Sequence, residues 1–390
     1  MGKYDFDTII ERRGTGSLKW NGPESELPMW VADMDFSTAP EIREAIVRIA
    51  ERGVYGYNVM PPAWELSYQE WWQKRHGLTI NAGELLFAKG IVPAISSMIR
   101  SFTEQGDGVL IQPPVYNCFF RTIRENQRRV VENNLLIAED LSCSIDFDDL
   151  ETKLSDPSVK LFILCNPQNP GGRLWTKEEL SAMGDLAIKH NVVIISDEIH
   201  CDLTEPGKNY QPFAAVSETC RQNSLTCLAP SKTFNLAGIQ TSAIFSANEE
   251  LRKRAEQGFD TDEVSEPGSF SAEAAIAAFR YGEPWLAELN EYIQENKETV
   301  KSFLGAELPE IRVTPSEATY LLWLDIRALP GQGEGFAAFL RKETGLYLLD
   351  GRIYGDHGRG FLRMNVACPR ALLDDGLKRL KKGTEAFISR

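Results

Sequence analysis

The sequence is poor in histidine, with four, and its seven cysteines include no CxxC pair. Metal-ligand spacing is therefore missing, and no metal centre is expected. An odd number of cysteines cannot pair completely within one chain. Free thiols in a reducing cytoplasm are expected, most of them small core residues. No basic stripe stands out, and the formal net charge is −14. Nucleic acid is not an expected partner. The acidic balance favours solubility and still permits locally basic sites for anionic ligands. The longest apolar runs, such as 161–165 and 192–195, are far too short to span a bilayer. Residues 1–13 carry no apolar core of a signal peptide. Gly2 is followed by Phe6 where a myristoylation motif needs Ser or Thr. No membrane partner is expected. There is no internal repeat and no low-complexity tract.

What is present is ordinary globular material: 390 residues, 43% hydrophobic and 25% charged. This is enough for a large core and a second, smaller one. Residues 1–36 are irregular and rich in Gly, Pro and Trp. A helix is expected from Thr38 to Gly53, then others over 61–76 and 92–105. Beyond residue 108 the chain alternates, with short apolar strands at 109–112, 129–132, 161–165, 192–197, 225–229 and 242–246. Helices are expected between them at 115–126, 146–154 and 176–191, the last opened by a Thr176/Glu179 capping box. Continuous apolar strands separated by helices mean an α/β architecture with a mainly parallel sheet covered on both faces. After about residue 283 the texture changes. A long helix over 284–304 leads into strands at 320–325, 346–349 and 361–366, a helix near 335–344 and a terminal helix from Pro369. A smaller α+β domain is expected over 284–390, with 1–45 packing on it and 46–283 forming the large domain.

Open α/β sheets bind ligands beyond the carboxyl ends of their strands. Three such ends carry unusual residues: the turn 166–172 (NPQNPGG), Asp197 to His200, and Pro230-Ser231-Lys232-Thr233-Phe234-Asn235. A carboxylate and a lysine at the ends of apolar strands are costly unless partnered. A structural ion pair between Asp197 and Lys232 accounts for them. A cofactor with a positive nitrogen for Asp197 and an aldehyde for Lys232 accounts for them equally.

The order Asn169-Pro170-Gly171, Asp197, Ser231-Lys232 resembles the fold-type I pyridoxal 5′-phosphate (PLP) enzymes of the aspartate aminotransferase superfamily. The segments 28–36 (PMWVADMDF), Tyr55-Gly56-Tyr57, 196–200 (SDEIH), 230–235 (PSKTFN) and the tail 354–370 are similar to the MalY/PatB type of carbon–sulfur β-lyases, the cystathionine β-lyases. The resemblance runs the length of the chain. It implies PLP held on Lys232, which also acts as general base. It further implies Asp197 at the pyridine nitrogen, Asn169 at the 3′-oxygen, Tyr116 stacked on the ring, and His200 lining the cofactor. Gly90, Ile91, Val92 and Ser231 would hold the phosphate, with Tyr57 reaching it from the partner of a homodimer. Arg363 would grip the substrate carboxylate, and Asp33 and Tyr57 would border the substrate. The implied activity is α,β-elimination on cystathionine or another S-substituted L-cysteine. An aminotransferase, or a PLP-binding regulator with secondary lyase activity, shares the same cofactor contacts.

Three positions depart from the aminotransferase pattern. Gln240 stands where a phosphate-binding arginine is usual, Gly171 where Thr is usual, and His200 where Tyr is common. No arginine is assignable to a second substrate carboxylate. The Gly-rich stretch 355–360 lacks a strand–turn–helix context and is expected to be a plain turn.

Overall fold

The computed structural model describes residues 2–390. Seven strands form the main sheet in the order Leu85–Ala88, Ser242–Phe245, Ser224–Leu228, Val193–Asp197, Val159–Cys165, Gly108–Ile111, Arg129–Glu132. Five consecutive strands pair in parallel, from Ser224–Leu228 to Arg129–Glu132. The strand Ser242–Phe245 runs antiparallel to both its neighbours. The mainly parallel sheet is as expected from the apolar runs, whose residues are buried on both faces.

A second sheet has four antiparallel strands in the order Arg312–Val313, Leu321–Asp325, Phe361–Asn365, Leu349–Asp350. The long helix Glu283–Glu307 precedes it, and the helix Arg370–Ile388 closes the chain. The N-terminal strand Leu27–Pro28 runs parallel to Leu346–Tyr347. The first forty residues therefore meet chain that is made three hundred residues later.

The capping box forms as read. Glu179 N–H donates to Thr176 Oγ1 at 3.2 Å, and Thr176 N–H donates to Glu179 Oε2 at 2.9 Å. Several elements were not legible, three of them in the main sheet and its helices. The edge strand Leu85–Ala88 is four residues long, too short for periodicity to declare. The helix Glu249–Thr261 is mostly charged and buries few side chains, among them Ala255 and Phe259. The helix Ser271–Tyr281 is alanine-rich and buried almost all round, so it shows no amphipathic stripe. The stretch 355–360 follows the 3₁₀ turn Gly351–Tyr354, holds a second one at Asp356–Gly358 and runs into a strand; it is a turn, not a phosphate loop.

An aromatic cluster braces the turn that carries Lys232. Phe234 is fully buried, with the rings of Trp71, Trp285 and Phe279 at 5.9, 6.0 and 6.3 Å. Phe234→Ala opens a cavity here and is expected to cost about 3–5 kcal/mol. The check is a lower urea midpoint with the elution volume of the folded protein retained; an unchanged midpoint refutes it.

Candidate active site

Parallel pairing sets Asp197 level with Cys165 on one side and Cys227 on the other. The three chains therefore leave the sheet at one edge. One continues into the Asn166–Gly172 turn, one into Glu198–His200, and one into Pro230–Lys232. Gly172 closes the first turn at φ +74, where a Cβ would lie 2.6 Å from the Ala318 carbonyl, so only glycine fits.

Asp197 is buried and Lys232 half-buried, and each is moved toward its neutral form. Burial pushes the Asp197 carboxyl up to about 6, with the Lys232 charge pulling it back. Burial and the nearby Arg363 bring the Lys232 amine down to about 8, against the pull of Asp33 and Asp197. Lys232 Nζ donates to the Ala32 carbonyl at 2.6 Å, and Tyr320 donates its hydroxyl to the same oxygen at 2.9 Å. Asp197 accepts one hydrogen bond, from Ile199 N–H at 3.2 Å. It makes no salt bridge among the described residues, so the structural ion pair with Lys232 is not formed.

Arg363, on the strand Phe361–Asn365, is 3% exposed. It donates to the Trp30 carbonyl at 2.9 Å and to Asn169 Oδ1 at 3.3 Å, while its Nε is buried without a partner among the described residues. His200 is buried, its Nδ1 also unpartnered. Burial first, then the charges of Lys232 and Arg363, hold its imidazole well below the usual range and hence neutral. Tyr116 caps the helix Asn117–Glu125, and burial drives its phenol well above the ordinary value.

The segment 30–36 forms one wall, tied down on all sides. Asn365 Nδ2 donates to the carbonyls of Val31 and Asp33, at 2.5 and 2.6 Å. Asn235 accepts from Met34 N–H and donates to Met34 and Phe36 carbonyls, each at 3.0 Å. Arg12 binds the carboxylates of Asp33 and Asp35, both at 2.6 Å, and Lys19 reaches Asp35 at 2.7 Å. The Asp33 carboxylate is thus engaged by Arg12, and the segment turns its carbonyls toward Lys232 and Arg363. Asn235, Asn365 and Tyr320 act as positioning residues and were not among those expected. The first two lie inside the quoted motifs, two or three positions from Lys232 and Arg363. Arg12 and Lys19 carry no local signal at all.

Gly90 opens the helix Ile91–Phe102 at φ +148, a conformation that glycine tolerates. The first N–H groups of a helix have no intrahelical partner and suit an anion. Gly90, Ile91 and Val92 present them, and Ser231 is half-buried on the Lys232 turn. Gln240 sits in the left-handed region at φ 55, inside the stretch that joins this turn to the strand Ser242–Phe245. Tyr57 is not brought to the site of its own chain; it is fully exposed, beside exposed Val54, Tyr55 and Val59.

The donor set fits PLP. A half-buried lysine with a lowered pKa suits an aldehyde. A buried carboxylate without a cation suits a pyridinium. The unpartnered Nδ1 and Nε atoms of His200 and Arg363 await polar groups.

The family model for aminotransferase class I and II matches residues 28–380. The chain belongs to that family. Among its relatives in the aminotransferase class I and II family is the cystathionine beta-lyase PatB of Bacillus subtilis (strain 168). The two are 42% identical over 383 residues, 97% of this chain and 99% of the relative. The structure of cystalysin from Treponema denticola, which contains a pyridoxal 5′-phosphate cofactor, superposes with a TM-score of 0.92 at 33% identity, covering 98% of this chain and 99% of that one. The PLP-bound C–S lyase from Staphylococcus hominis gives 0.91 at 33% identity, with the same coverage. Among the described residues no helix is long and apolar enough to cross a membrane.

Proposed function

We propose that this member of the family is a PLP-dependent carbon–sulfur β-lyase acting on cystathionine or another S-substituted L-cysteine, with thiol, pyruvate and ammonia as products. The observation that carries the reading is the convergence of half-buried Lys232 and buried Asp197 at one edge of the main sheet with buried Arg363, which reaches Asn169 from the second sheet, in a chain whose relatives over nearly its full length include C–S lyases.

When bound, PLP supplies an electron sink for the charge left at Cα. Lys232 holds the aldehyde carbon and removes the Cα proton, a role its lowered pKa favours. Asp197 keeps the ring nitrogen protonated, the cation there restoring its carboxylate form. Arg363 binds the α-carboxylate as a planar fork, aided by Asn169. Tyr116 and His200 line the ring, and the N–H groups at 90–92 with Ser231 take the phosphate. With Gln240 adding no charge, that grip depends on backbone and hydroxyl donors.

The test mixes PLP-loaded protein with L-cystathionine and follows pyruvate and free thiol. Equimolar release without any added oxoacid is expected. Glutamate formed from 2-oxoglutarate, with no thiol, would make the chain an aminotransferase instead; neither product would favour a regulator. Nζ must be unprotonated to accept the Cα proton. Turnover per bound substrate is therefore expected to climb as pH rises through about 8 and to fall below it. A rate flat from pH 6 to 9 would count against Lys232 as base.

Residues 46–283, around the seven-stranded sheet, are proposed as the cofactor domain. Residues 284–390 are proposed as the smaller domain, with 1–45 against it. The pairing of Leu27–Pro28 with Leu346–Tyr347 supports this division. A homodimer is proposed as well. The exposed run Val54, Tyr55, Tyr57 and Val59 would be covered by a second copy, giving its phosphate site a tyrosine. Sedimentation is expected to give twice the mass of one chain, and Val59→Asp to shift the protein toward monomer with weaker PLP retention. A monomeric wild type retaining full activity would refute it. The seven free thiols support a cytoplasmic setting.

A further inference from the structure

Tyr354 lies in the 3₁₀ turn Gly351–Tyr354, and the proposed function does not use it. Three observations set it apart. Its side chain is fully buried, yet its hydroxyl has no hydrogen-bond partner among the described residues. A buried phenol normally finds one. The Arg363 guanidinium lies over its ring, 5.1 Å from the centroid, and Arg363 Nε is a second buried orphan of this corner, with Trp323 Nε1 a third. Finally, the Tyr354 carbonyl accepts from Val115 N–H at 3.0 Å, which fixes the turn against the one that carries Tyr116. The ring is held from behind by Trp323, edge-on at 5.3 Å. Of these orphans, the Tyr354 hydroxyl and the cationic Arg363 guanidinium are stacked together, in one buried corner between the two sheets. An anionic acceptor with two oxygens satisfies both.

We propose that Tyr354 is a substrate-positioning residue whose hydroxyl donates to the same carboxylate that Arg363 grips. The inference rests on the amino-acid-binding reading of the site but not on the fate of the C–S bond. Orientation by two donors in different planes fixes the carboxylate's rotation as well as its position. That rotation sets which substituent of Cα faces Lys232.

The experiment uses the PLP-loaded enzyme and two ligands that cannot eliminate: L-alanine, and L-alaninamide, which lacks the carboxylate. Binding is read from the change in cofactor absorbance. Tyr354→Phe keeps the ring and its packing and loses only the donor. It is expected to weaken L-alanine about tenfold, as befits one hydrogen bond to a charged group, and to leave L-alaninamide within twofold. On a β-lyase substrate KM should rise more than kcat falls. Equal weakening of both ligands would mean a structural role, and unchanged L-alanine affinity would mean no contact; either overturns the proposal. Loss of lyase activity in the wild type with the alanine discrimination intact would overturn the proposed reaction and leave this contact standing.

Discussion

Lys232→Ala is expected to lower cystathionine turnover by about 10⁴-fold or more, because one side chain both anchors the aldehyde and moves the Cα proton. Few substitutions should do more damage to chemistry with less to the fold. Lys232 makes no salt bridge among the described residues, and its single hydrogen bond goes to the Ala32 carbonyl, which Tyr320 also supplies with a donor. The variant should therefore elute as the wild type does. Its cofactor should be released on gel filtration, where the wild type stays yellow. A variant with more than about a tenth of wild-type turnover would remove Lys232 from the mechanism.

The second large effect is expected from Asp197→Asn, at about 10²–10³-fold in kcat, the scale of removing one preorganised electrostatic group. The amide fills the same space and can still accept from Ile199 N–H, so a stability loss is not the explanation. What disappears is the negative charge that holds a proton on the ring nitrogen. Burial already pushes this carboxyl up to about 6. In the absence of cofactor, the carboxylate form is thus present above about pH 6 and lost as pH falls through it. A cationic ring opposes that loss. Cofactor retention should therefore weaken below about pH 6 in the wild type and stay flat with pH in the variant. Equal kcat in the two proteins would exclude the charge as a requirement.

Much of this site could be read before any coordinates, for a physical reason. The strands that end in the 166–172 turn, Asp197 and the Lys232 turn are buried on both faces, so their apolar runs are continuous and the polar residues at their ends stand out. Parallel pairing then places those ends side by side. Arg363 was legible because it interrupts an apolar strand. Tyr320, Arg12 and Lys19 were not, because each acts across a long separation on backbone or carboxylate groups, and nothing in the neighbouring residues reports that. Tyr354 sat inside a quoted motif, but only coordinates show its hydroxyl bare and Arg363 over its ring. The edge strand Leu85–Ala88 and the two helices that follow Ser242–Phe245 were hidden by brevity, charge and all-round burial respectively.

The wall at residues 30–36 has a consequence for how the chain is made. Its staples come from Asn235, Tyr320, Arg363 and Asn365. A ribosome that has emitted only the first three hundred residues has exposed every strand of the main sheet, Asp197 and Lys232 among them. The earliest-made segment still has nothing to dock on at its far side. Closing the site waits for the last quarter of the chain, across sequence separations that make such contacts slow to form. The nascent protein thus has its cofactor lysine in place well before it has a finished chamber around it, and truncation near residue 310 should yield a folded sheet that cannot retain a substrate.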